Sequence, residues 1–316
     1  MTSRERVLTA VEHREPDRVP ITFDCEKEVL DVLKKHFGVD SAEGVWRALH
    51  VDTRLVGANH RRRNTRNAGG IDYNYWGVGS RQVEYSFGQM YDMCYHPLAG
   101  MQTTGELDAY DWPSPDEISF EALREARRKN GDKAIIAYFC HGGYFTATEM
   151  RGMEQFLADL AGEPEFAAKI IEKIMSYIYP ALERLCDEAR EDFDIFYVAD
   201  DFCTASGPLV SPAMFRALIK PYLAQMAEIT HARGKKMLLH TCGSVRALLP
   251  DIIDAGVDIL EPIQTSAAGM EVEGLKRDFG EAITFYGSID LINVLSKGTV
   301  AQVREEVLKN SRVLGK

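Results

Sequence analysis

The sequence lacks a cysteine framework. Its six cysteines, at 25, 94, 140, 186, 203 and 242, show no repeated spacing, which argues against a disulfide-stapled scaffold and suits a reducing cytoplasm. Long apolar runs are also missing, and stretches such as residues 134–140 are far too short to span a bilayer. No apolar signal segment opens the chain: Met1-Thr2-Ser3-Arg4-Glu5-Arg6 runs directly into an amphipathic helical pattern, so the expectation is a cytoplasmic protein that engages no membrane. Positive charge is in deficit. With 37 Lys and Arg against 48 Asp and Glu, the net charge of −11 opposes nonspecific binding to nucleic acid or anionic lipid. The one basic cluster, Arg61-Arg62-Arg63 with Arg66, reads as a solvated loop. A glycine fingerprint after an early strand is missing too. Gly77-Val78-Gly79 sits among aromatics and not at a strand-to-helix turn, which removes the usual signal of a dinucleotide fold.

What is present is a repeated alternation of short apolar strands with amphipathic helices. Strand patterns fall at 19–23, 51–56, 134–139, 194–199, 236–241, 257–261 and 283–286, and helical patterns include 154–161, 164–188 and 212–233. Thr2 with Glu5, and Thr299 with Gln302, have the spacing of capping boxes. Strands alternating with helices imply a parallel sheet covered by helices. The expectation is an α/β fold of the (β/α)8 barrel type. Seven strands can be counted, so the eighth is expected to lie beyond residue 316 and a gap is expected in the barrel wall. The whole of 1–316 reads as a single barrel domain. Residues 71–98, rich in Tyr and Trp, read as a hairpin insertion at the rim, either packing there or serving as a lid.

Chemistry concentrates where strands end. In Leu238-Leu239-His240-Thr241-Cys242-Gly243-Ser244, alternation along a strand turns His240 and Cys242 to one side. An imidazole beside a thiol is a donor pair that suits zinc, and two ligands need at least one more. Ser244 reads as the cap of a following helix. Glu261 is either a further metal ligand or the carboxylate that orients His240. Asp200 and Asp201 are neighbours on a strand, so one carboxylate should point inward and one outward, and Asp201 is the better candidate to meet substrate. His141, at the end of the third strand, is a further catalytic candidate. Asp24 and Asp290 also fall near strand ends.

Read in order, several segments are specific. They are Pro16-Asp17-Arg18-Val19-Pro20-Ile21, Asp200-Asp201, Gly207-x-x-x-Ser211-Pro212-x-x-Phe215, Lys220-Pro221-Tyr222, His240-Thr241-Cys242-Gly243, Gly256-Val257-Asp258-Ile259-Leu260-Glu261-Pro262 and Gly287-Ser288-Ile289-Asp290. This set resembles the uroporphyrinogen decarboxylase superfamily across essentially the whole chain. The His-x-Cys pair resembles that superfamily's branch of zinc-dependent, corrinoid-linked methyltransferases. The resemblance implies a (β/α)8 barrel, zinc, and methyl transfer between a small methyl donor or thiol acceptor and a corrinoid on a separate protein. It also implies a further metal ligand, commonly Cys, after the eighth strand begins. The chain departs from the decarboxylases themselves. Thr22-Phe23-Asp24-Cys25-Glu26-Lys27 stands where their Arg-Gln-Ala-Gly-Arg segment would meet substrate carboxylates. No carboxylate is present near Gly57-Ala58, where their catalytic aspartate falls, and Thr146 to Gly152 replaces a substrate-contacting tyrosine motif. The alternatives are porphyrinogen decarboxylation, which needs no metal, and a binding barrel without chemistry.

Overall fold

The computed structural model describes residues 1–61, 65–66, 69–86 and 88–315. Arg62, Arg63, Phe87 and Lys316 lie outside the described residues, as does the side chain of Arg66. Six parallel strands build the central sheet: β1 (Thr53–Gly57), β2 (Ala134–Tyr138), β3 (Ile195–Ala199), β4 (Lys236–His240), β5 (Ile259–Glu261) and β6 (Thr284–Phe285). Their spatial order equals their chain order. Winding therefore continues in one direction, as in a barrel, and never reverses as in a doubly wound sheet.

Register fixes which side chains meet. Leu55 pairs with Ile136, Ile136 with Ile195, Leu238 with both Tyr197 and Ile259, and His240 with both Ala199 and Glu261. Partners across a parallel ladder share a face, so Ala134, Ile136, Ile195, Leu238 and Ile259 form one apolar cluster, with Tyr197 and Tyr286 packed on it. Residues from four consecutive strands, with Tyr286 just past a fifth, meet in one cluster as the sheet curls. The helix α1 (Ser3–Val11) plugs its lower end with Val7 and Val11, and its capping box of Thr2 and Glu5 forms as the spacing predicts. The outward residues, among them Ile135, Phe196, Val198, Met237, Leu239 and Leu260, pack under the helices in a second, larger core. Burial on both faces explains why the strands read as unbroken apolar runs.

The expected first strand, 19–23, does not form. That segment is extended without a ladder, and its backbone links to the sheet are Asp52 N–H donating to Ile21 O (2.8 Å) and Ile21 N–H donating to the Asp52 carboxylate (2.8 Å). Pro20 has no N–H to offer, and a carboxylate takes the donor that a strand would have used. Among the described residues no ladder joins β6 to β1; the Tyr286 side chain lies near Thr22 and Thr53 across the interval.

Between β1 and β2 the aromatic insertion forms an antiparallel sheet of Thr65–Arg66, Ile71–Tyr73, Gly79–Tyr85 and Gly88–Tyr95. Its base is packed: Tyr75 stacks on His60 at 4.3 Å and Trp76 lies edge-on to Tyr177 at 4.9 Å. Two helices matter for the site, α2 (Gly143–Arg151) and α4 (Lys220–His231), with α3 (Pro164–Glu188) between them in sequence. The pattern at 212–233 is not one α-helix. A π turn at Phe215–Ile219 precedes α4, because Pro221 cannot donate the N–H that a regular α-helix would need there. Among the described residues no helix is long and apolar enough to cross a membrane.

Asp52 ties the N-terminal segment to β1. It is fully buried and accepts from Arg6 (2.8 Å), Arg18 (2.7 and 3.0 Å) and Ile21 N–H (2.8 Å). Burial raises its pKa, and the bonds from Arg18 and Ile21 outweigh burial, so the net shift is downward. A carboxylate lowered in the folded state stabilises above its unfolded pKa, near 4, and loses that contribution as pH falls through the folded value. Asp52→Asn should therefore cost about 2–3 kcal/mol at pH 7, toward the low end for a buried pair because Arg18 is partly exposed. The penalty should vanish in strong acid. Urea unfolding of both proteins across pH checks this, and equal midpoints at pH 7 would refute it.

Candidate functional site

The C-terminal ends of β3 and β4 converge on three donor atoms. Asp201, His240 and Cys242 each offer one, all within 4.8 Å of one another. Cys242 Sγ lies 3.5 Å from His240 Nε2, and His240 Nε2 lies 3.9 Å from Asp201 Oδ1. Local backbone fixes this arrangement. After β4 the chain turns at Gly243, whose φ of +92° and whose approach to Thr204 O leave no room for a Cβ. The turn aims the Cys242 N–H at Asp201 Oδ1 (2.7 Å), and the Gly243 N–H donates to Gln264 (2.8 Å). Ser244 caps no helix; its hydroxyl donates to Ala268 O at 2.6 Å, and a short 3-10 turn at Arg246–Leu248 leads into Leu249–Asp254, where Pro250 sits in the first turn.

Glu261 stands outside the group of three, on the other ring nitrogen. Its carboxylate is 2.5 Å from His240 Nδ1, which leaves Nε2 facing the sulfur. That placement fits the orienting alternative. Burial disfavours a charge on His240, but its bonds to Cys242 and Glu261 outweigh burial and push the pKa up to about 10. A thiol sulfur, an imidazole nitrogen and a carboxylate oxygen make a donor set of the kind zinc takes. A tetrahedral centre with ordinary zinc bond lengths would separate sulfur from nitrogen by about 3.5 Å, the spacing found here.

The two adjacent aspartates part as alternation requires. Asp201 joins the group, while Asp200 is fully buried behind the sheet. Asp200 accepts from the Phe145 N–H (2.6 Å) and from the Tyr222 hydroxyl, and burial raises its pKa to about 7. It has no exposed atom to offer a substrate. Gly142 must be glycine, because a Cβ there would lie 2.2 Å from Asp200 Oδ2. His141 follows β2, with Nδ1 at 3.1 Å from Glu149 Oε2 on α2. Asp24 accepts from the Cys25 N–H, and Asp290 accepts from Ile292 and Asn293 N–H, so both serve as local backbone caps. Sequence reasoning does not reach Glu149 or Tyr222. The signal for Tyr222 was its place in Lys220-Pro221-Tyr222; for Glu149 it was two helical turns after a glycine pair.

Comparisons with known proteins agree with this architecture. A family model described as Uroporphyrinogen decarboxylase (URO-D) matches residues 97–315, more than two thirds of the chain. Among solved structures, a methyltransferase from Methanosarcina mazei is similar with a TM-score of 0.69 at 18% identity, covering 99% of this chain and 90% of that one. Curated proteins include no sequence match.

The Asp200 anchor generates a prediction that does not depend on activity. Tyr222→Phe removes the hydroxyl while preserving the ring, leaving a buried carboxylate short of one donor. The expected cost is about 1–3 kcal/mol, read by urea unfolding at pH 7. A variant as stable as the wild type would show that this bond does not hold α4 to β3.

Proposed function

We infer the activity from one premise: this chain belongs to the uroporphyrinogen decarboxylase family. Within it, we propose a methyltransferase in which zinc held by Asp201, His240 and Cys242 promotes methyl transfer between a small methyl donor, or a thiol acceptor, and a corrinoid carried by a separate protein. The observation that carries the reading is the convergence of sulfur, nitrogen and oxygen donors at the barrel mouth, with Glu261 behind the imidazole. The Methanosarcina mazei methyltransferase, alike in fold, adds support.

Each residue has a stated task. Glu261 holds His240 by Nδ1, so the Nε2 lone pair is directed at the metal position. Asp201, fixed by the Cys242 N–H, supplies the hard oxygen donor, and Cys242 supplies the soft one. When bound, the zinc supplies Lewis acidity, which stabilises a thiolate or draws charge from an ether oxygen.

Decarboxylation is the activity the family name favours, and the residues disfavour it. β1 ends at Gly57-Ala58 with no carboxylate, and Asp52 is at the opposite end of the strand, neutralised by Arg6 and Arg18. Asp24 and Glu26 would repel a polycarboxylate. Arg151 is buried, spent on Asp159 and on the carbonyls of Leu98 and Met101.

The expected outcome is about one zinc per chain. Cys242→Ala and Asp201→Ala should each lose most of it, and Glu261→Gln should weaken zinc affinity by about 10–100-fold while leaving the ligands in place. Metal analysis and competitive chelation measure this, beside a methyl-transfer assay with methylcobalamin. A metal-free wild type that decarboxylates uroporphyrinogen would sink the reading.

A further inference from the structure

A second imidazole is presented like the first. The backbone of His141 bridges Ala199, which lies opposite His240 in the next ladder. Bridged residues in parallel strands point to the same side, so both histidines face the inner surface with one strand between them, their Cα atoms about 10 Å apart. The residue between is Ala199, whose methyl keeps the floor low. Glu149 takes Nδ1 of His141 as Glu261 takes Nδ1 of His240, which leaves Nε2 free to face the mouth. There the likeness ends. Among the described residues the one set of three grouped metal donors is Asp201, His240 and Cys242, and His141 is not part of it. The His141 side chain is 46% exposed. Phe145 packs its ring against His141 at 4.7 Å, and Tyr197 lies 5.9 Å from the His240 ring and 6.1 Å from Tyr138.

We propose that His141, positioned by Glu149, donates the proton to the leaving oxygen of an aryl methyl ether at this site. The inference rests on the methyl-transfer reading. In the step the methyl C–O bond breaks, the oxygen keeps the electron pair and takes the proton from Nε2, and the methyl forms its new bond with the lone pair of the acceptor. His141 is left neutral and is reprotonated from solvent. The direction of proton flow follows from its surroundings. Burial works against a charged ring, but the bond to Glu149 and the nearby charges of Glu149, Asp200 and Asp201 outweigh it and raise the pKa above the ordinary histidine value. A phenoxide leaves poorly without a proton, and a thiolate needs none. Aromatic rings beside each histidine, Phe145 at His141 and Tyr197 at His240, suit an aryl body.

The test uses the full-length zinc-loaded protein, free cob(I)alamin as acceptor, and aryl methyl ethers graded by the acidity of the phenol released. His141→Gln should slow ethers of weakly acidic phenols by about 100-fold and those of nitrophenols by less than about 10-fold, with zinc content unchanged. Glu149→Gln should move the alkaline limb of kcat/KM to lower pH, because removing the carboxylate lowers the His141 pKa. The same downward move should appear in an NMR titration of the His141 ring in the metal-free protein, a readout that needs no turnover. Equal slowing across the ether series, or none, overturns the role and leaves methyl transfer standing. So does an unmoved His141 midpoint in Glu149→Gln, or a wild type that methylates a thiol and ignores every ether. A wild type that transfers methyl groups in neither direction overturns both.

Discussion

The mouth of this barrel is organised by a carboxylate with no exposed atom. Asp200, buried at the end of β3, accepts from the first turn of α2 and from Tyr222 on α4. Burying a carboxylate is costly unless donors surround it, so the two helices are held where they can supply donors. That placement has consequences in both directions along the chain. On α2 it carries Glu149 into reach of His141. On β3 it turns Asp201 to the opposite face, where the Cys242 N–H fixes it. The buried acid and the acid grouped with His240 and Cys242 are consecutive residues because a strand has two faces.

The lower end of the barrel uses carboxylates differently. Asp52, Asp194 and Asp258 precede β1, β3 and β5, and each accepts one backbone N–H from an adjacent segment: Ile21, Ile135 and Met237 respectively. Each is also paired with basic side chains: Arg6 and Arg18, Arg4 and Arg127, His231 and Lys236. These acids are saturated, so they hold segments together and have nothing left for a ligand. At the upper end the sharing is incomplete by design of the backbone. Glu261 and Glu149 each satisfy one nitrogen of a histidine and leave the other open. Division of a barrel into a stabilising end and a reactive end is thus visible in how many partners each carboxylate has.

The strands, the long helix Pro164–Glu188 and both capping boxes were legible in the sequence because local signals and tertiary demands agree there. His240 beside Cys242 was legible because alternation is a property of any strand. Three features were not. The 19–23 segment has strand-like composition, but the competing acceptor is Asp52, more than thirty residues away in sequence. Ser244 has the identity of a cap, and the carbonyl that claims its hydroxyl belongs to Ala268. Glu149 is anonymous in sequence, since nothing local says that its helix will lie against the end of β2. In each case the deciding partner is distant along the chain, which is the information that pattern and propensity do not carry.

The two histidines show how one device gives two chemistries. Both follow or end a strand, both face inward, and both have Nδ1 taken by a glutamate. What differs is the atom opposite Nε2. His240 faces a sulfur and a carboxylate oxygen, and three donors around one point favour a cation more than any proton shared between them. His141 is half exposed beside Phe145 and, among the described residues, belongs to no set of three grouped metal donors, so its Nε2 is left open to exchange a proton as proposed. They stand a strand spacing apart on either side of Ala199. In the proposed methyl transfer from oxygen, one corner would hold charge on the reacting atom and the other would neutralise it.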